Sequence, residues 1–179
     1  MASSMSTGNT RPHVLILGAG LGGLTLAQSL RKQYVSFEIF ERDKTVRSRA
    51  TGWAIALHTI LGDLKASLPD DLPPIESTNH LLPLELPAEL CFYSSAGKAS
   101  AKASQQHPVV RANRQKLREL FATNIDVQWD KLVSSIEQDE EYVRLTFTDG
   151  TTATGDVLVG ADGVSSHGMQ LQDTSRNQD

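Results

Sequence analysis

The sequence predicts an α/β fold, in which a parallel sheet is entered through a βαβ unit and joined by a three-stranded antiparallel meander. Three observations carry that expectation. The apolar run Val14-Leu15-Ile16-Leu17 leads into Gly18-Ala19-Gly20-Leu21-Gly22-Gly23, a helical pattern follows to about Lys32, and residues 37–40 read as a second strand ending at Glu41. Between residues 132 and 154 three strand-like runs follow one another, the last two joined by the hairpin signal Asp149-Gly150. Val157-Leu158-Val159 is a continuous apolar run, the pattern of a strand buried on both faces of a parallel sheet.

The glycines have the spacing G-x-G-x-x-G between strand and helix, and each has a physical task. Gly18 allows the tight turn out of the strand, Gly20 lets the backbone approach a pyrophosphate, and Gly23 lets the helix lie close on the sheet. The first-turn amides, at the positive end of the helix dipole, suit phosphate oxygens. Glu41 follows Gly18 by 23 residues, close to the roughly 20-residue offset of a carboxylate that hydrogen-bonds a ribose hydroxyl. Gly23, Leu26, Ala27 and Leu30 form an i, i+3, i+4, i+7 stripe, which predicts the sheet-facing side of the helix. Arg31 and Lys32 close it with charge suited to a helix C-terminus. The unit reads as a dinucleotide site that suits FAD and NAD alike.

With 179 residues, 39% of them apolar, the chain fits one domain, or one domain plus part of another. No segment approaches the roughly 18 consecutive apolar residues of a membrane span. A net charge of -4 and a pI near 5.7 carry no footprint for nucleic acid or an anionic membrane. The single cysteine, Cys91, excludes an internal disulfide and a cysteine-based metal site, and its neighbours Leu90 and Phe92 predict a strand position. His58, His80 and His107 lack carboxylate or cysteine partners at ligand spacing, so no metal centre is expected. Residues 1–12 are polar and small, without the apolar core of a signal peptide. They predict a disordered lead-in and a cytoplasmic location.

The remaining elements follow in order. After Glu41 a basic turn, Arg42-Asp43-Lys44, leads past Arg47 and Arg49 to a short apolar segment at residues 52–57. Ile60, Leu61, Leu64 and Leu68 continue at helical spacing, although Gly62 weakens that helix. Five prolines between residues 69 and 87 break any regular element, so residues 69–108 read as an excursion from the main sheet. Within it residues 90–93 are strand-like, a turn falls at Ala96-Gly97, and a second strand is expected near residues 99–103. Asn113 is placed to cap a helix over residues 114–123 with Leu117, Leu120 and Phe121 on one face. Residues 125–129 read as a short strand, and the meander takes residues 132–137, 142–148 and 151–154. In its middle strand Val143, Leu145 and Phe147 alternate with Tyr142, Arg144 and Thr146, which predicts one buried face. Residues 168–179 have almost nothing to bury and are expected to be disordered.

In this order the features resemble those of the flavin-dependent aromatic hydroxylases and related monooxygenases, of the p-hydroxybenzoate and salicylate hydroxylase type. Four strings carry the resemblance. They are the glycine string followed by Leu24 and Ala27, then Phe40-Glu41-Arg42, then R-x-x-L at Arg114 and Leu117, and finally Gly160-Ala161-Asp162-Gly163 with Ser166. It covers roughly residues 14–166, and the last string, of the form G-A-D-G-x-x-S, is its most specific part.

The resemblance implies a Rossmann-like FAD-binding domain over residues 13–167, with 69–108 a partial excursion into a substrate domain. It implies that Gly18, Gly20 and Gly23 hold the FAD pyrophosphate and Glu41 the adenosine ribose. Gly52 corresponds to a glycine beside the cofactor, and Arg114 to an arginine that contacts the flavin nucleotide. Arg111 competes for that role, because it lies in the same string, Arg111-Ala112-Asn113-Arg114. Asp162 corresponds to a residue near the pyrophosphate that such enzymes also link to the pyridine nucleotide. Read without the resemblance, Arg114 suits a solvated helix charge and Asp162-Gly163 a plain turn. No side chain is implied as catalytic, since the flavin carries the chemistry. NAD(P)H is the implied co-substrate and reductant, and O2 supplies the oxygen given to a small organic substrate.

Beyond Ser166 the sequence departs from the family pattern. Met169 stands where an arginine is expected, with Gly168 before it. A second FAD motif of the type G-D-A-x-H is absent, as is most of a substrate domain, so the chain is expected to be the incomplete front part of such an enzyme. Two other classes share the first unit. One is an NAD(P)-dependent dehydrogenase, against which no catalytic Tyr/Lys pair is recognisable; the other is a non-catalytic nucleotide-binding fragment.

Overall fold

A computed structural model of the chain describes residues 11–48, 52–80, 91–97, 99–102, 109–163 and 166. The expectations for residues 1–10 and 168–179, and for His107, lie outside these. Strand β1 (Val14–Leu17), helix α1 (Leu21–Lys32) and strand β2 (Phe37–Glu41) form the expected βαβ unit, with Val14 opposite Phe37 and Leu17 opposite Phe40 in parallel register. Next come β3 (Ala54–Leu57), the short helix α2 (Leu61–Ser67), and a single 3-10 turn (Ile75–Thr78) that opens just after Pro73 and Pro74. The excursion contains the hairpin β4 (Cys91–Tyr93) and β5 (Ala99–Lys102), and returns through β6 (Val110–Asn113), antiparallel to β3. Strand β6 has no counterpart in the sequence expectations; it is the alternation Val110-Arg111-Ala112, with Arg111 exposed between two buried residues.

Helix α3 (Arg114–Phe121) starts where Asn113 predicts, its side-chain oxygen accepting from the Lys116 amide at 3.0 Å. Strand β7 (Val127–Trp129) joins the parallel sheet beside β2. The meander is β8 (Val133–Gln138), β9 (Val143–Phe147) and β10 (Thr152–Gly155), and β11 (Val157–Gly160) returns to β1. The four-stranded parallel sheet therefore runs β11-β1-β2-β7, and the meander β10-β9-β8. No helix among the described residues is long and apolar enough to cross a membrane.

Both faces of the sheet are covered, and β1 shows how. Val14 and Ile16 point into the helical layer with Leu24, Ala27, Leu117 and Phe121, while Leu15 and Leu17 point into the meander with Val143, Leu145 and Phe147. The Phe40 and Phe147 rings meet at 4.7 Å between centroids. Burial of each such large side chain contributes about 1.5–3 kcal/mol, so β1 is held mainly by its two covered faces. Strand β11 departs from expectation. Among the described residues it lies at the edge of the sheet, where Leu158 packs on the meander but Val157 is 42% exposed. A continuous apolar run fits a central strand and a half-covered edge strand equally well.

The buried stripe of α1 is also turned from its expected centre. Leu24, Ala27 and Gln28 are fully covered, whereas Leu26 and Leu30 are only partly so. Gln28 Nε2 donates to the carbonyls of Phe121 and Thr123, both at 2.8 Å, and its Oε1 accepts from Arg31 Nε at 2.9 Å. It thereby satisfies carbonyls that the end of α3 leaves without intrahelical donors. Gln28→Leu removes these bonds at similar volume and is expected to lower stability by about 1–3 kcal/mol. A shifted urea midpoint with unchanged slope would record this, and an unmoved midpoint would count against it.

At the end of α1 the Arg31 guanidinium forks onto Asp71 at 2.9 and 2.7 Å, and Asn124 adds a third bond to that carboxylate. These partners, the arginine first, hold the Asp71 carboxyl below its usual range. A depressed folded-state pKa contributes stability above the unfolded value and loses it as pH falls through the folded value. The denaturation midpoint is therefore expected to be level above about pH 5 and to drop below it. Arg31→Met should make that drop shallower; an identical pH profile would remove the pair from the account.

Candidate cofactor site

The C-terminal ends of β1, β2 and β11 open into a pocket of about 300 Å³, the position at which open α/β sheets bind ligands. The glycine loop forms its floor. Gly18 has φ +102°, its amide donates to the Phe40 carbonyl at 2.7 Å, and a Cβ on it would lie 2.5 Å from the Ala161 oxygen. A Cβ on Gly23 would lie 1.9 Å from the Gly18 oxygen, so α1 rests directly on the loop that precedes it. Gly20 differs from both: a Cβ there would find only the Ala161 oxygen, at 4.0 Å. The protein's own packing requires glycine at 18 and 23, and leaves the face of Gly20 open to the pocket that it lines. Gly20 is also the residue at which α1 begins, with no side-chain cap and no acid in the first turn. The amides of Leu21, Gly22 and Gly23 therefore keep the unmet donor capacity of a helix N-terminus.

Glu41 closes the second wall. Its side chain is 5% exposed, one oxygen accepting from the Ala19 amide at 2.8 Å and the other from the Asp43 amide at 3.0 Å. Arg118, buried to 3% exposure, comes from α3 behind it. Its Nε donates to the Ala19 carbonyl at 2.8 Å and its Nη1 to the Val46 carbonyl at 3.2 Å, while Nη2 stands 3.3 Å from Asp43 and 3.5 Å from Glu41. The guanidinium also lies over Trp129, 5.6 Å from the ring centroid.

Helix α3 brings Arg114 to the same pocket. Its Nε is buried and has no hydrogen-bond partner among the described residues. An unpaired buried donor costs about 1–3 kcal/mol, which a ligand oxygen would recover. Gly52, with φ +84°, is not part of the wall. It stands against the stem of Arg114, where a Cβ would lie 3.6 Å from Cδ. Arg111 is exposed on β6 and does not reach the pocket, so of the two candidate arginines only Arg114 lines it. Asp162 and Gly163 form the rim after β11.

Three further basic residues line the site, Arg42, Arg118 and Lys131. With Arg114 they outnumber the acids Glu41 and Asp162, which favours an anionic ligand. Lys131 is held from outside: its ammonium bonds Asp149 at 2.6 Å and the Thr151 hydroxyl at 2.7 Å, and Lys131 and Thr151 together hold the Asp149 carboxyl far below its usual range. The sequence expectations missed Arg42, Arg118 and Lys131 as site residues, although Arg42 belongs to the string Phe40-Glu41-Arg42. Lys131 carries no local signal, but Arg118 does. Arg114, Leu117, Arg118 and Phe121 form an i, i+3, i+4, i+7 stripe, which places two arginines on the buried side of a helix. Among the described residues no group of three or more potential ligands could hold a metal ion.

A βαβ unit with an uncapped helix N-terminus, a fixed carboxylate at the end of β2 and a basic pocket define a dinucleotide-binding α/β domain. The FAD binding domain family matches residues 11–177, and the chain belongs to that family. It is 52% identical over 157 residues to the FAD-dependent monooxygenase thnD of Trichoderma harzianum, covering 86% of this chain and 39% of that protein. Among solved structures, a Photorhabdus luminescens protein described as an FAD-containing monooxygenase shares 29% identity with a TM-score of 0.65, over 87% of this chain and 40% of that one. A variant of Klebsiella pneumoniae HpxO, solved with FAD, has the same fold at 23% identity and a TM-score of 0.60, over 87% of this chain and 41% of that one. The chain thus spans about two fifths of the length of these relatives.

Proposed function

We propose that the chain is the FAD-binding portion of a flavin-dependent monooxygenase that uses NAD(P)H and O2 to oxygenate a small organic substrate. One observation carries the cofactor-binding part of this reading: Arg114 Nε, buried and without a hydrogen-bond partner among the described residues, lies in the same pocket wall as the open face of Gly20 and the uncapped start of α1. The residues present fit FAD. Gly20, the first-turn amides of α1 and Arg114 would hold the phosphates, and Glu41 the adenosine ribose, with Asp162 at the rim. When bound, the flavin supplies the electron transfer and the oxygen chemistry.

The chain's own residues bind and orient. Gly18 and Gly23 fix the loop, Glu41 is pinned by two backbone amides so that its position is set before a ligand arrives, and Gly52, at φ +84°, packs beside the Arg114 stem. Such preorganisation reduces the ordering cost of binding. The test is a competition between FAD and NAD+ for the purified protein. FAD should bind in equimolar amount and resist displacement by excess NAD+, whereas preferential NAD+ binding would favour the dehydrogenase reading. Consumption of NADPH by the FAD-loaded protein separates an active enzyme from a module that only binds.

A further inference from the structure

We propose that Arg118 is a positioning residue that gives the site its recognition of the adenosine ribose, acting through Glu41 and Ala19 rather than by touching the cofactor. The inference rests on the FAD reading above and assigns a role to a residue outside the motifs that define it. A guanidinium has five N–H donors, and here four hydrogen bonds tie them to protein acceptors, with the Glu41 carboxylate beside the same group. Nε meets the Ala19 carbonyl at 2.8 Å, Nη1 the Val46 carbonyl at 3.2 Å and Asp43 at 3.4 Å, and Nη2 Asp43 at 3.3 Å and Glu41 at 3.5 Å. Although Arg118 borders the pocket, its donors turn mainly to the protein.

What Arg118 holds is the pair that defines the ribose site. The Ala19 peptide is gripped from both ends, its carbonyl by Arg118 and the amide of the same residue by the Glu41 carboxylate at 2.8 Å. Arg118, Ala19 and Glu41 thus form a closed ring of contacts joining α3, the glycine loop and the end of β2. The guanidinium stands 3.5 Å from a carboxylate whose side chain is 5% exposed, and adds an opposite charge to the two amides that hold it. Lysine cannot replace it, because a single ammonium cannot span Ala19, Val46 and Asp43 at once.

The experiment measures the dissociation constants of FAD and of its analogue lacking both adenosine ribose hydroxyls, for the native chain and for Arg118→Lys. The native chain should prefer FAD by about tenfold or more, as for charge-assisted bonds to hydroxyls. In Arg118→Lys that preference should fall to near one, with FAD weakened about tenfold or more and the analogue nearly unchanged. If both ligands weaken equally and the ratio persists, Arg118 is a structural residue and the proposal is overturned. A native chain that binds FAD without preference also overturns it, while a native chain that binds no FAD overturns the functional reading itself. Should Arg118→Lys not fold, Asp43→Asn loosens the outer anchor of the same guanidinium. A narrowed preference then supports the proposal, and an unchanged one contradicts it.

Discussion

Replacing Gly20 with alanine is expected to weaken FAD binding by about 10- to 100-fold while leaving the ligand-free fold intact. A Cβ at position 20 meets nothing among the described residues closer than 4.0 Å, but it projects where the backbone must approach the phosphates. Gly23→Ala should behave in the opposite way. There the Cβ would stand 1.9 Å from the Gly18 oxygen, so α1 must lift from the loop, at a cost of about 3 kcal/mol of stability. Thermal melting of the ligand-free variants, set beside FAD titrations, separates the two. Equal destabilisation by both substitutions would contradict the distinction between a glycine required by the ligand and one required by the fold.

Arg114→Met is expected to weaken FAD by about 10- to 100-fold, the range of a lost hydrogen bond to a charged group. The ligand-free protein should be no less stable, because the substitution removes a buried donor that has no partner among the described residues and keeps the apolar stem beside Gly52. Arg111→Met, on the exposed face of β6, should change neither quantity. Binding measurements on both variants decide between the two arginines. A larger loss at Arg111 would overturn the assignment.

Much of this architecture was legible because local chemistry and tertiary demand agree. The glycine spacing, the apolar runs and the Asn113 cap each describe interactions made within a few residues, and the βαβ unit, the meander and α3 form where they predict. Where the sequence misled, the deciding interaction was remote. Whether Val157-Leu158-Val159 becomes a central or an edge strand depends on what lies beyond β11 in the sheet order, which no property of those three residues reports. Rather than Leu26 and Leu30, the buried face of α1 takes in Gln28, a polar residue accommodated there because the end of α3 presents two carbonyls. The choice between Arg111 and Arg114 needed the strand–helix boundary at Asn113, since one residue of the pair lies on β6 and the other opens α3. The same holds for Arg118, whose partners lie 72 to 99 residues away.

The central claim is that the described pocket grips the ADP half of FAD. The open face of Gly20, the start of α1, Glu41 and Arg114 support it. Its most direct test is displacement of bound FAD by ADP and by FMN, each titrated into the loaded protein and followed by flavin fluorescence. ADP should compete for the site, and FMN, which lacks the adenosine ribose and the second phosphate, should leave FAD in place. Displacement by FMN but not by ADP would contradict the account.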